Sequence, residues 1–300
     1  NMPDKWFLNA RDAFNGIPLW KLPIKEWGGE CWMKQPNQYA RMFSGTYQVF
    51  RRLVAVDDQV FATLGMHAPV SALDAATGKL IRSYAGTEKT FEILCHENTL
   101  LLAVNHALDN KNAEPDISIM AVDRTTGAIL WESKGYRGFK GGRAPKEHAS
   151  PYADVVLTLG RNHVFLVDKE DVFALDLATG KKTWSVKRSE NSDNLEGHST
   201  AMAHYKDILF FTQIGSTRNG GGLGKKSALV AVDVASGKRL WSRDAASLAF
   251  SGVPPDIFIN RGLVWILDGQ TRSFLGLDPA TGAKKDSIDG TLISSGFHHN

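Results

Sequence analysis

Short runs of alternating apolar and polar residues follow one another along most of the chain, separated by turn-forming residues. Val155-Val-Leu-Thr-Leu159 and His163-Val-Phe-Leu-Val167 are two such runs, parted by Gly160-Arg-Asn162. Period-two alternation rich in β-branched and aromatic residues reads as strand. Next comes Ala174-Leu-Asp176-Leu-Ala-Thr179-Gly180-Lys-Lys-Thr-Trp184. Here an apolar run, a polar turn and a second apolar run predict a hairpin. The Asp carboxylate accepts N–H groups of the following turn, and the glycine supplies the positive φ a short loop needs. Together the segment predicts four antiparallel strands.

The hairpin pattern recurs six times. Ala10-Arg-Asp12-Ala-Phe-Asn15-Gly16-Ile-Pro-Leu-Trp20 comes first, then Ala72-Leu-Asp74-Ala-Ala-Thr77-Gly78-Lys-Leu-Ile-Arg82 and Ala121-Val-Asp123-Arg-Thr-Thr126-Gly127-Ala-Ile-Leu-Trp131. The Ala174 copy follows, then Ala231-Val-Asp233-Val-Ala-Ser236-Gly237-Lys-Arg-Leu-Trp241 and Gly276-Leu-Asp278-Pro-Ala-Thr281-Gly282-Ala-Lys-Lys-Asp286. A repeat of this length signals an array or propeller, and four strands per repeat make the blade of an all-β β-propeller. A half-blade at 5–24 and five blades at 49–84, 90–134, 152–188, 199–244 and 255–289 are predicted within one domain spanning 1–300. Arg82 and Asp286 stand where the other copies carry Trp. Their blades are expected to pack differently, with a wetter junction at Asp286. Asn15 and Ser236 keep a small hydrogen-bonding side chain at the Thr position.

Ala-x-Asp-x-x-Thr-Gly-x-x-x-Trp resembles the tryptophan-docking repeat of the PQQ-like (pyrroloquinoline-quinone-type) β-propeller family, over Ala10 to about Asp286. The chain is also similar, around Ala10–Trp20 and Arg51–Gly78, to PQQ-like repeat proteins of planctomycete-type bacteria. The family includes quinoprotein alcohol dehydrogenases and the propeller lipoprotein of the outer-membrane β-barrel assembly machinery. A fold shared so widely does not imply one function. The resemblance implies an exported, periplasmic or cell-envelope location, and PQQ or a divalent metal as cofactors for those members that are enzymes.

Trp6–Ala10 reads as the third strand of a blade and Thr291–Asn300 as the first strand of another. One tail strand does not complete a four-stranded blade, and an open edge is unfavourable. The expectation is a piece of a longer chain with a seven- or eight-bladed ring. A six-bladed ring with an imperfect closing blade is the alternative.

With 43% hydrophobic residues the chain can bury a large core, and its net charge of +3 comes from 35 basic and 32 acidic residues. The basic residues occur in pairs such as Arg51-Arg52 and never as a run, which argues against nucleic acid as a partner. No apolar stretch is long enough for a membrane-spanning helix. Cys31 and Cys95 form no metal-spaced or haem motif. Nor are they adjacent, unlike the cysteine pair that the resemblance associates with quinoprotein dehydrogenases.

In a four-stranded blade the loop from strand two to three and the link to the next blade share one face. His67 and His106 fall in such loops, and His148, His198, His298 and His299 at entries to first strands. Glu92, Arg143, Glu196, Ser199, Ser251 and Ser295 accompany them. His67, His106, Arg143, His148, Glu196, His198 and His298 are therefore the candidate channel-face residues, with His148, His198 and His298 as candidate metal ligands or bases. Two long loops share that face, Asn105–Asp116 and the glycine-rich Gly215–Lys226, whose spacing does not meet the phosphate-loop pattern. The segment 25–47 is a long connection of the kind that packs over a ring.

The leading expectation is a module that binds or assembles with a protein partner, or takes a small or sugar-like ligand, through this face. The alternative is an enzyme with its site at the central channel, either a PQQ-dependent dehydrogenase or a metal-assisted carbohydrate lyase or hydrolase. A third reading is a scaffold acting through exposed strand edges.

Overall fold

In a computed structural model, residues 5–24, 51–108, 113–140, 153–168, 171–188, 201–213, 228–244, 257–268, 271 and 273–289 are described. The chain divides into two units, Asn1–Ala153 and Asp154–Asn300.

The first unit opens with the hairpin β1 (Trp6–Arg11) and β2 (Pro18–Ile24). A four-stranded antiparallel sheet follows: β3 (Leu53–Val56), β4 (Gln59–Thr63), β5 (Val70–Asp74) and β6 (Leu80–Ser83). The next sheet has β7 (Thr90–His96), β8 (Thr99–Asn105), β9 (Ile117–Asp123) and β10 (Ile129–Tyr136). Two short strands, β11 (Phe139–Lys140) and β12 (Ala153–Asp154), form a ribbon.

The second unit holds three such sheets. The first has β13 (Val156–Leu159), β14 (His163–Asp168), β15 (Asp171–Asp176) and β16 (Lys182–Lys187). The second has β17 (Met202–Tyr205), β18 (Ile208–Gln213), β19 (Ala228–Asp233) and β20 (Arg239–Asp244). The third has β21 (Ile257–Asn260), β22 (Leu263–Asp268), β23 (Ser273–Leu277) and β24 (Lys284–Asp289). Each sheet runs in sequence order as an up-and-down meander, which is a propeller blade. First strands meet first strands, β3 with β7 in one unit and β13 with β17 and β17 with β21 in the other.

Burial explains why some strands depart from simple alternation. The second and third strands are buried on both faces, as in β14 and β15. The fourth alternates in β16 and β20, which carry a docking Trp, and is exposed throughout in β6 and β24, where Arg82 and Asp286 replace it. A middle strand sandwiched between neighbouring blades has no solvent face, so it becomes continuously apolar. Phe61, Ile93, Leu100 and Met120 belong to one such core, and Phe210, Leu229, Ile266 and Leu277 to another. Each of these side chains contributes on the order of 1.5–3 kcal/mol by leaving water.

The six turns share one geometry. The glycine amide donates to the Asp carbonyl at 2.8–2.9 Å, for example Gly78 to Asp74 and Gly180 to Asp176. Asp Oδ1 accepts the amide three residues on, as from Thr179 at 2.8 Å, and the Thr179 hydroxyl at 2.6 Å. Ser236 donates its hydroxyl to Asp233 in the same way, and Asn15 replaces the hydroxyl by accepting the Ile17 amide. Below each turn the register shifts by one residue beside the motif Ala or Gly, which pairs directly with the docking position. Ala10 faces Trp20, Ala72 Arg82, Ala121 Trp131, Ala174 Trp184, Ala231 Trp241 and Gly276 Asp286.

These turn bonds favour the ionised carboxylate. Hydrogen bonds from the threonine hydroxyl at Asp74, Asp176 and Asp278, and from the Thr126 amide at Asp123, hold all four below their ordinary value of 3.8. A carboxyl whose folded pKa is depressed stabilises the fold above its unfolded pKa, and that contribution is lost as pH falls through the folded value. Urea midpoints are therefore expected to be level near neutrality and to fall below about pH 4. Asp176→Asn, measured across the same range, is expected to flatten part of that slope. An unchanged slope would mean that other carboxylates carry it.

Candidate functional site

The face formed by strand two-to-three loops is described best in the first unit. His67 lies exposed in the β4–β5 loop. His106 begins the β8–β9 loop, where its amide donates to the Asp116 carbonyl at 2.8 Å and its carbonyl accepts Lys89 Nζ at 3.2 Å. The buried Asn105 supports this turn by accepting the Ala107 and Asp116 amides through Oδ1. Arg137 donates to the Pro115 carbonyl at 2.9 Å from the chain beyond β10. The loop ends are thus tied to the blade by main-chain and side-chain bonds.

Around His106 the strands assemble a polar group that sequence reading did not single out. Its Nε2 lies 2.8 Å from Ser118 Oγ on β9 and 3.4 Å from Glu132 Oε1 on β10. Lys134 Nζ lies 2.8 Å from Glu132 Oε2. Glu132 and Lys134 are two residues apart on one strand and so project from one face. Glu132 pairs with Met120, two residues from Ser118, which puts Ser118 on that face as well. Burial pushes the Glu132 carboxyl up, but Lys134, Ser118 and His106 together hold it below the ordinary value. Glu132 in turn raises Lys134. The result is a surface ion pair beside a half-exposed imidazole.

This is not a nucleophile activated by a histidine. Catalytic serine triads place the hydroxyl on one ring nitrogen and the acid on the other. Here both partners meet Nε2, and Ser118 is fully buried. Nor do the described donors fit a catalytic metal. No three His, Cys, Asp or Glu side chains among the described residues form a metal-holding group, whereas catalytic zinc sites use three protein ligands. The sequence also lacks the adjacent cysteines that the family resemblance associates with bound quinone. What the group can do is present charge and hydrogen-bond donors to another polar surface.

Glu92, a further residue of interest, is buried on β7 with Arg51 Nη1 at 3.6 Å from its carboxylate. Arg143, His148, Glu196, His198, Ser199, Ser251, Ser295, His298 and His299 lie outside the described residues, as do Cys31, the 25–47 connection and the glycine-rich loop. His96, His163 and His204 sit at strand positions toward the opposite, turn-bearing face. No helix among the described residues is long and apolar enough to cross a membrane.

The turn-bearing face shows how blades lock together. The Trp20 indole N–H donates to the Ala75 carbonyl at 2.8 Å, Trp184 to Val234 at 2.7 Å and Trp241 to Pro279 at 2.9 Å. In each case the acceptor follows the motif Asp of the next hairpin, and the ring covers that hairpin's glycine, Gly78, Gly237 or Gly282. This serial tryptophan docking, each indole onto the next hairpin, is the geometry expected of the PQQ-like repeat. The family model described as outer membrane protein assembly factor BamB matches residues 8–285.

The chain belongs to this family of PQQ-like repeat propellers.

Among solved structures it is similar to BamB from Moraxella catarrhalis, at 16% identity and a TM-score of 0.52, over 94% of this chain and 67% of that one. It is also similar to the quinohemoprotein alcohol dehydrogenase ADHIIG from Pseudomonas putida HK5, at 15% identity and a TM-score of 0.50. That match covers 79% of this chain and 41% of the dehydrogenase. At these identities the likeness shows the fold. No curated protein sequence matches the chain. Within the family pattern, Arg82 is the informative departure. It donates to the Thr126 carbonyl at 2.9 Å, and Tyr84, two residues on, donates its hydroxyl to the Arg124 carbonyl at 2.5 Å. Arg124 follows Asp123, so Tyr84 takes the acceptor that an indole takes elsewhere.

Proposed function

We propose that this PQQ-like propeller is a binding or assembly module of an exported or cell-envelope protein, and that its loop face meets a protein partner. The reading rests on membership of the family described as an outer membrane protein assembly factor. The arrangement of His106, Ser118, Glu132 and Lys134 supports it, because a braced loop beside an exposed ion pair suits polar recognition and lacks the geometry of a histidine-activated nucleophile. Electrostatic groups of this kind set specificity and association rate more than affinity.

The test is site-specific photo-crosslinking in the native cell with the full chain. A crosslinker at His67 or Lys134 is expected to capture one discrete envelope protein, and one at Phe14, fully exposed in the β1–β2 turn, is not. Glu132→Lys, which reverses the charge beside His106, is expected to reduce the Lys134-face product at least about fivefold. Equal capture of that same protein at Phe14, or no product from the loop face, would remove the proposal.

A further inference from the structure

The junction between β6 and the β9–β10 turn lacks the indole that fills the Trp20, Trp184 and Trp241 junctions, and it contains a cavity of about 430 Å³. That volume falls in the range of roughly 300–1,000 Å³ typical of small-ligand sites. Ala72, Ile81 and Tyr84 supply its apolar walls, and Arg82, Arg124 and Asp58 line it with charge. Arg124 is engaged, with Nη2 2.6 Å from Asp57 Oδ2. Among the described residues the Asp58 carboxylate makes no hydrogen bond or ion pair, although its backbone carbonyl accepts the Ala75 amide. Arg82 bonds the Thr126 carbonyl and, among the described residues, no carboxylate.

At the three indole-filled junctions a would-be Cβ on the facing glycine lies 2.6–2.8 Å from the ring. At Gly127 the nearest atoms are Tyr84 Cδ1 at 3.6 Å and Arg82 Cδ at 3.7 Å. Arg82 and Tyr84 therefore anchor the next turn while standing farther from its glycine than an indole does, and the cavity lies beside them. The cavity offers a cation for a π face, apolar walls and a carboxylate acceptor that is unengaged among the described residues. Those are complementary to an aromatic ring carrying an N–H donor.

We propose that this junction is a recognition site for an indole, the tryptophan side chain of a partner polypeptide, bound in the cavity beside Arg82 at the kind of junction that Trp20, Trp184 and Trp241 fill elsewhere. The Arg82 guanidinium stacks on the ring, Ile81 and Tyr84 enclose it, and the indole N–H donates to Asp58. This site lies on the turn-bearing face and does not depend on the loop-face reading.

Titration of the full chain with N-acetyl-tryptophanamide, followed by amide shifts of Arg124, Thr125 and Gly127, is expected to give saturable binding with Kd of about 0.1–1 mM. Arg82→Trp introduces the residue found at the Trp20, Trp184 and Trp241 junctions and should fold at least as stably as the parent. It is expected to weaken binding at least about tenfold by filling the site with the chain's own indole. Asp58→Asn, which keeps the backbone bond to Ala75, is expected to weaken it about threefold or more. N-acetyl-tyrosinamide should bind more weakly than the tryptophan compound. Absence of saturation, shifts confined to other residues, or full binding by Arg82→Trp would overturn the proposal. Tighter binding of free zwitterionic tryptophan than of the amide would overturn the assignment to a partner polypeptide.

Discussion

Gly237→Ala is expected to destabilise the protein by about 3 kcal/mol, whereas Gly16→Ala should cost only about 1 kcal/mol. The two glycines have nearly the same backbone, φ +69° and +72°, so a Cβ meets the same left-handed strain at both. Around Gly16 there is nothing within 4 Å. At Gly237 the added carbon would lie 2.7 Å from Trp184 Cδ2 and 2.8 Å from Cε3. A rigid two-torsion ring held by a hydrogen bond cannot retreat without losing that bond. The difference between the two variants therefore isolates the docking clash from the backbone term. Urea denaturation of both, with Gly237→Ala repeated in a Trp184→Ala background, measures it. Equal losses at the two glycines would show that the indole moves aside freely.

Trp184→Ala is expected to cost a further large increment, about 3 kcal/mol, with Trp184→Phe losing roughly half as much. The ring covers Gly237, packs on Phe165 at a centroid distance of 5.8 Å, and donates its N–H to Val234. Truncation leaves the fully buried Phe165 open on one side, and the Val234 carbonyl without its indole donor. Phenylalanine keeps most of the apolar contact and loses the hydrogen bond, worth about 1 kcal/mol net. Arg82→Ala should be milder, about 1 kcal/mol, because Tyr84 still reaches the neighbouring turn. If Trp184→Phe were as damaging as the alanine variant, the N–H and not the ring would be the principal tie between these blades.

Sequence reading reached the hairpins because their determinants are local. Asp176 and Thr179 are three residues apart, and the same few bonds recur at each turn. It treated Arg82 as a gap in the docking pattern. Tyr84 supplies the missing hydrogen bond there only because its hydroxyl meets a carbonyl 40 residues away, a relation with no local signature. His106 was legible as a loop histidine by position alone. Its partners Ser118 and Glu132 belong to two other strands and reach it through sheet pairing. The one available hint was the charged Glu132 and Lys134, spaced by two on an outer strand that opens with Ile129-Leu-Trp131.

The repeat of turn residues thus specified an all-β chain of four-stranded blades, since backbone hydrogen bonding and glycine's positive φ act within a few residues. Which side chains meet across blades was settled by packing. Docking one hairpin onto the next depends on shape and unsatisfied carbonyls brought together from distant positions. The same long-range packing placed the ion pair beside His106 and left the cavity beside Arg82.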